Sequence, residues 1–277
     1  MPDAASPVSA VVPCKGRLAH LKITLPLLMA LPLREVVVVD YDCPEGTGDW
    51  VQTTFPAARL VRVANQPGFS ISVARNLGAR VTTAPWIFFV DADTKVFPGL
   101  WDEIAPRLAP GAFFVAEPRL FDLWGTFVTA RTDFDALGGF DEIFQGWGGE
   151  DADFLERLVI LGRRPLRFDA RLAEAIQHSD ELRMRHHQNR DRQLSGLVND
   201  TYRMIKNDLA RQGAPLDEAM RLRLYGEVRE SMADGARATT YEVRFRDYPM
   251  HDHVLTATLK YQLRPQDGAA PADPPAR

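Results

Sequence analysis

The chain has 277 residues, 45% of them hydrophobic and 25% charged, with a formal net charge of −4 at neutral pH. That length suffices for one large domain, or a domain plus an extension, that buries most of its apolar surface, and the composition excludes disorder over most of its length. The acidic balance lacks the strongly basic footprint of a nucleic-acid binder, so any nucleotide is expected to be a small cofactor. Neither end carries an apolar run suited to a signal peptide or membrane span. The two cysteines, Cys14 and Cys43, form no disulfide framework, which suits a reducing, cytoplasmic location. Cys14 reads as a small packed residue rather than a nucleophile, since no histidine or second cysteine stands near it in sequence.

In chain order, "SAVVPCKGR" is a buried-type strand ending at Pro13, "LAHLKITLPLLMAL" has helical apolar spacing, and "REVVVVD" is a β-branched run stopping at Asp40. "ARLVRVA" follows as a strand, "SISVARNLGARVTT" as a helix, and "WIFFVDAD" as a buried strand that ends in carboxylates. Such alternation predicts βαβ units and a parallel sheet covered on both faces. "TFVTAR" after Gly125 reads as another strand, and "GEDADFLERLVILGR" as a helix with acids in its first turn. Helices are expected over "NRDRQLSGLVNDTYRMIKNDLARQG" and from Pro215 through "PLDEAMRLRLYGEVRESMADG", then a strand pair in "YEVRFRDYPMHDHVLTATLKYQL". The Pro/Ala/Asp-rich tail over 265–277 cannot offset its ordering entropy by burial.

In open sheets of this class, ligands sit outside the carboxyl ends of the strands. Three ends stand out: "PCKGR", with Lys15 and Arg17 available for phosphate; Asp40; and Asp91-Ala92-Asp93. Alternate residues of an extended segment point to opposite faces, so one of Asp91 and Asp93 can bind a metal while the other holds a ribose hydroxyl or a metal-bound water. A strand-capping turn is the plain alternative. In "GWGGEDADF", Gly146, Gly148 and Gly149 permit backbone angles that other residues resist and allow a loop that moves over a substrate. Its acids serve either as helix caps or as cleft groups.

The segments "VVPCKGR", "VVVVD", "SVARNLGAR", "FFVDAD" and "GGFDEIFQGWGGEDADFLERLVILGR" resemble the GT-A glycosyltransferases, in particular the family 2 enzymes and the β-1,4-galactosyltransferase group that shares the W-G-G-E-D motif. The resemblance covers roughly residues 8–180, and beyond about Met184 nothing matches. It implies an α/β GT-A fold over 8–184, with a mostly parallel central sheet flanked by helices. A mainly helical C-terminal extension with a strand pair then takes up 185–264, ahead of the tail.

Carried over residue by residue, the resemblance puts Pro13, Lys15 and Arg17 at the uridine and diphosphate of a sugar nucleotide, and Asp40 at the base. Arg75, Asp91 and Trp124 join the nucleotide-sugar site, Trp124 in the cleft wall. Asp93 and His178 become metal ligands for Mn²⁺ or Mg²⁺, the imidazole tilting the choice toward Mn²⁺. His186 and His187 are rivals to His178, and Ala175 stands where the animal enzymes have a methionine. Leu123 replaces an aromatic residue, which puts galactose specificity in doubt. Asp151 is the implied catalytic base of an inverting transfer, with Trp147, Gly148, Glu150 and Asp153 on the acceptor side.

The expected function is therefore metal-dependent, inverting transfer of a hexose or N-acetylhexosamine from a nucleoside diphosphate sugar, UDP-linked, to a glycan or lipid-linked acceptor hydroxyl. A retaining or GDP-mannose-using transferase is the rival on the same fold, and a non-catalytic nucleotide- or glycan-binding protein the rival from another class. The arginine-rich C-terminal helices read either as a solvated face or as a peripheral contact with anionic lipid at the inner face of a membrane.

Overall fold

The computed structural model describes residues 6–187, 191–233, 239–250 and 252–264; the expected tail over 265–277 lies outside the described residues. The chain divides into two compact units, one up to Asn199 and one from Asp200. The first therefore ends at Asn199, later than residue 184, where the resemblance ends.

The first unit runs β1 (Val8–Cys14), α1 (Leu18–Met29), β2 (Glu35–Tyr41), α2 (Thr47–Thr54), β3 (Arg59–Val63), α3 (Ile71–Val81) and β4 (Trp86–Phe89). It continues with β5 (Thr94–Val96), α4 (Gly99–Ile104), β6 (Ala112–Glu117), β7 (Phe127–Ala130), α5 (Arg131–Ala136), α6 (Glu150–Ile160), β8 (Arg164–Asp169), β9 (Ala173–Ala175) and α7 (Asp180–Met184). The helix α8 (Arg192–Arg211) begins in this unit.

Seven strands form one sheet in the order β3-β2-β1-β4-β7-β6-β8. The β1–β2, β1–β4, β2–β3 and β6–β8 pairs are parallel, whereas β7 runs antiparallel to both β4 and β6. The sheet is mostly parallel, as expected, and is mixed at β7, which follows β6 by a short return over 118–126 and lies between β6 and β4.

Side chains alternate across the strands, and that period sorts the core into two faces. Val8, Ala10, Val12, Val36 and Val38 pack in one cluster with Leu21, Leu25 and Leu28 of α1. On the other side, Val11, Val37, Val39 and Phe89 pack with Ala74 and Ala79 of α3 and with Phe154 and Leu158 of α6. Strands covered on both faces read as unbroken apolar runs, which is why "VVVV" is a strand despite lacking polar alternation. Under α6 the rings of Phe89, Phe127, Phe134, Phe140 and Phe154 nest, Phe140 and Phe154 stacking at 4.5 Å between centroids. This nest fixes the start of α6 against the strand end that carries Asp91. The pair β5–β9 is a separate antiparallel ladder, aligning Thr94 with Ala175.

The second unit holds the rest of α8, then α9 (Glu218–Ala233) and an antiparallel hairpin of β10 (Thr239–Met250) and β11 (His253–Leu263). Tyr202 and Tyr225 meet edge to face at 5.2 Å in its core. The helix α9 starts after Asp217, whose Oδ1 accepts from Met220 N at 2.8 Å. Pro215 lies outside it, because the Asp217 carboxylate satisfies an orphan amide of the first turn and so fixes where the helix begins. Arginines here pair with acids of their own helix, Arg203 with Asp200 and Arg223 with Glu227, as a solvated face does. Among the described residues no helix is long and apolar enough to cross a membrane.

Candidate active site

The carboxyl ends of β1 and β4, the start of α6 and the segment after β9 enclose one cleft. Of the residues singled out in the sequence, Pro13, Lys15, Arg17, Arg75, Asp91, Asp93, Trp124, Trp147, Gly148, Glu150, Asp151 and His178 line it; Asp40 and Asp153 do not.

Arg75 is the centre of the polar arrangement. It lies in α3 with no exposed surface, its guanidinium 5.1 Å over the Phe140 ring. Nη2 donates to Asp91 Oδ1 at 2.8 Å, while Nη1 reaches Glu150 Oε1 at 3.4 Å and donates to Asp151 Oδ1. One buried cation thus joins the end of β4 to the start of α6. Burial opposes its charge, but Asp151, Asp91 and Glu150 together hold its pKa above the usual arginine range. Three carboxylates against one guanidinium leave an excess of negative charge out of water, which favours protonation. Accordingly, burial pushes Asp151 well above the ordinary carboxylate range against the pull of Arg75, with Glu150 and Asp91 adding to the rise. Asp91 is raised by burial and by Asp93, again against Arg75.

Gly125 makes this junction possible. A Cβ there would stand 2.2 Å from Asp91 Oδ2 and 2.5 Å from Arg75 Nη2. The sequence reading uses Gly125 only as a strand boundary; its direct follow-on from Trp124 is the signal that this backbone lies against the site.

Across the cleft, Asp93 Oδ2 meets His178 Nε2 at 2.7 Å. The β5–β9 ladder sets this contact, since it aligns Thr94 with Ala175 and lets Ile176 N donate to Asp93 O at 2.8 Å. Burial works to raise Asp93, but the hydrogen bond and charge of His178, with Arg17, hold it below its ordinary value. His178 also stacks on His20 at 5.4 Å. His186 and His187 line the cleft too, but His178 is the histidine that touches Asp93. The His186 ring packs on Gly16, where a Cβ would lie 2.1 Å from Nε2.

Among the described residues no group of three His, Cys, Asp or Glu side chains converges as a metal cage. Asp93 and His178 supply two donors, one carboxylate and one imidazole. That set fits a Mg²⁺ or Mn²⁺ ion bound by few protein groups and completed by substrate phosphate.

Three expectations need correction. Lys15 lines the cleft, yet its ammonium donates to Tyr41 O, Asp42 O and Gln66 O at 3.1, 2.9 and 2.7 Å. A lysine has three donors, so none is left for phosphate, and Lys15 ties the strand-end loops together. Asp40 spends its carboxylate on backbone amides, Oδ1 accepting from Cys43 N at 3.0 Å and Oδ2 from Gly48 N at 2.9 Å. The reason is α2, a helix the sequence reading missed, whose first turn Asp40 caps. Asp153 has no exposed surface and pairs with Arg157 at 2.8 Å. Two helical positions separate it from Asp151, roughly 200° around the axis, so both cannot face one cleft.

Arg17 lines the cleft, donating to Gly16 O and Leu182 O at 3.0 Å with Nε 3.9 Å from Asp93. The loop before α6 has positive φ at Gly146, Gly148 and Gly149, +74°, +85° and +90°, where side-chain residues are strained. Trp124 lies under the Arg119 guanidinium at 3.8 Å and Trp147 under that of Arg192 at 4.3 Å. Two cleft residues that sequence reasoning missed, Asp122 and Arg183, pair at 2.9 Å; neither belongs to a recognisable motif.

The family model described as glycosyl transferase family 2 matches residues 9–149, and that described as the N-terminal domain of galactosyltransferase matches 119–186. A validoxylamine A glucosyltransferase of Streptomyces hygroscopicus subsp. jinggangensis is 31% identical, over 57% of this chain and 53% of the relative. Its counterpart in subsp. limoneus is 30% identical, over 57% and 49%. The chain spans about half the length of the curated relatives it matches.

Among solved structures, Staphylococcus aureus TarS 1-349 in complex with UDP-GlcNAc superposes with TM-score 0.59 at 16% identity, covering 82% of this chain and 73% of that one. The mannosyltransferase PcManGT from Pyrobaculum calidifontis, in complex with GDP-Man and Mn²⁺, gives 0.54 at 16%, covering 84% and 77%. The fold is GT-A, a mostly parallel central sheet with helices on both faces.

Proposed function

Because the chain belongs to glycosyl transferase family 2, whose model spans residues 9–149, we propose that it is a metal-dependent inverting transferase. It moves a hexose or N-acetylhexosamine from a UDP-linked sugar to the hydroxyl of a glycan or lipid-linked acceptor. The observation that carries this reading is the Arg75 bridge, which sets Asp151 on the cleft wall within one guanidinium of Asp91.

In this reading the acceptor hydroxyl approaches from the Trp147 side. Its oxygen forms a bond to the anomeric carbon as the bond from that carbon to the diphosphate oxygen breaks. The electron pair leaves with the diphosphate and the hydroxyl proton passes to Asp151, a general base that is effective because burial has raised its pKa. Asp93 and His178 would hold the divalent ion, which when bound neutralises charge on the departing diphosphate. Arg75 holds Asp151 in one orientation, and Arg17 stands beside Asp93 at the diphosphate end.

Two relatives bear the name validoxylamine A glucosyltransferase, which favours a second reading of the acceptor, a small free molecule instead of a glycan or lipid, with glucose as the hexose. The neighbour in complex with GDP-Man keeps a GDP-sugar donor as the alternative. Proton NMR of the newly formed linkage tests the mechanism. Inversion of the anomeric configuration is expected, and retention would remove Asp151 from the role of base.

A further inference from the structure

Asn199 lies in α8, beyond every motif described above, and has no exposed surface. The two N–H groups of its carboxamide Nδ2 serve three carbonyl oxygens of the loop before α6, one N–H being shared: Gln145 O at 3.0 Å, Trp147 O at 3.3 Å and Gly148 O at 2.7 Å. A Cβ on Gly149 would stand 2.9 Å from the Asn199 Cβ, so the loop lies directly on this helix. Arg192, seven positions earlier on the same helix and hence near the same face, covers the Trp147 ring at 4.3 Å. Asp191 fixes the start of the helix, its Oδ1 accepting from Leu194 N at 2.9 Å.

A loop with three glycines at positive φ has few conformational preferences of its own. Something outside it must select the arrangement that holds Trp147 and leads into Asp151. A buried carboxamide whose donors go to the loop carbonyls does this at low cost, because those carbonyls need partners once they leave water.

We propose that Asn199 is a positioning residue that sets the acceptor side of the site. It acts through the Gln145–Gly148 backbone, and Arg192 completes the same clamp by fixing one face of Trp147. The proposal rests on the transferase reading for its kinetic consequences only; the loop itself is read independently of activity. Asn199→Asp keeps the shape but puts an acceptor oxygen where Nδ2 faces the three carbonyls, Asn199→Ala removes the donors, and Asn199→Ser retains one.

The test is hydrogen–deuterium exchange over residues 145–149 in the full chain and its three variants, alongside acceptor kcat/KM and the Kd of UDP with Mn²⁺. Faster exchange confined to this loop is expected for Asp and Ala, with Ser intermediate. Acceptor kcat/KM should fall about 10- to 100-fold, the range for a small misplacement of reacting groups, while the UDP Kd is unchanged. Loop exchange equal to the parent's in the folded variants would overturn the proposal. So would a UDP Kd that weakens in step with acceptor kcat/KM, the pattern of a general structural defect. Failure of both the Asp and Ala variants to fold, with Ser exchanging like the parent, would also count against it. A parent that transfers no sugar sinks the transferase reading and leaves the exchange comparison standing.

Discussion

Arg75 and Asp91 meet at 2.8 Å between Nη2 and Oδ1, and through that contact a wholly buried guanidinium ties the end of β4 to the first turn of α6. The same side chain reaches Asp151 and Glu150, so the β4 side and the α6 side of the cleft share one cation.

Replacing Arg75 by Met should therefore affect stability and activity together. Removing one partner of a buried ion cluster costs about 3–5 kcal/mol, and here it strands three carboxylates. The deficit should shrink as pH falls, because protonated carboxyls no longer need the cation. Denaturant unfolding at neutral and acidic pH measures this; a deficit independent of pH would contradict it.

Asp151→Asn should reduce turnover by about 10²- to 10⁴-fold, the typical contribution of a positioned acid or base. Binding of UDP in the presence of Mn²⁺ should be nearly intact. Calorimetry separates the two, and parent-like turnover would remove Asp151 from the mechanism.

The pH profile follows from burial. A base works deprotonated, and the Asp151 carboxyl is raised well above its ordinary value. Activity should therefore climb with pH along a limb lying above the ordinary carboxylate range of about 4. A limb at or below that range would show that a different group controls the rate.

Gly125→Ala places a methyl against Asp91 Oδ2 and Arg75 Nη2. Overpacking of this kind costs about 1–3 kcal/mol. The loss should appear in both melting temperature and transfer rate, since the atoms displaced are those of the bridge.

His178→Ala should weaken the apparent affinity for Mn²⁺ by at least about 10-fold, a loss that even an outer partner of a ligand causes. The preference for Mn²⁺ over Mg²⁺ should shrink as the imidazole is lost. An unchanged Mn²⁺ titration would point to His186 or His187.

Much of this was legible in the sequence. The β-branched runs, the carboxylates at the end of "WIFFVDAD" and the acids opening α6 mark strands, strand ends and a helix start through local physics. What escaped depends on partners distant in the chain. Lys15 and Asp40 carry the right chemistry for a ligand, yet Gln66 O claims one and the amides of Cys43 and of Gly48 in α2 the other. Asp153 fails by helical phase, which was readable once "EDADF" was taken as helix. Asn199 carries no motif at all, and only the packing of α8 on the glycine loop exposes it.

The central claim is tested most directly by incubating the protein with a panel of UDP- and GDP-sugars and acceptors, with Mn²⁺ or with EDTA, and measuring the nucleoside diphosphate released. The account predicts UDP release from a UDP-hexose or UDP-N-acetylhexosamine, matched by glycosylated acceptor and abolished by EDTA. Release of GDP alone, release that persists in EDTA, or nucleotide binding with no release from any donor would contradict it.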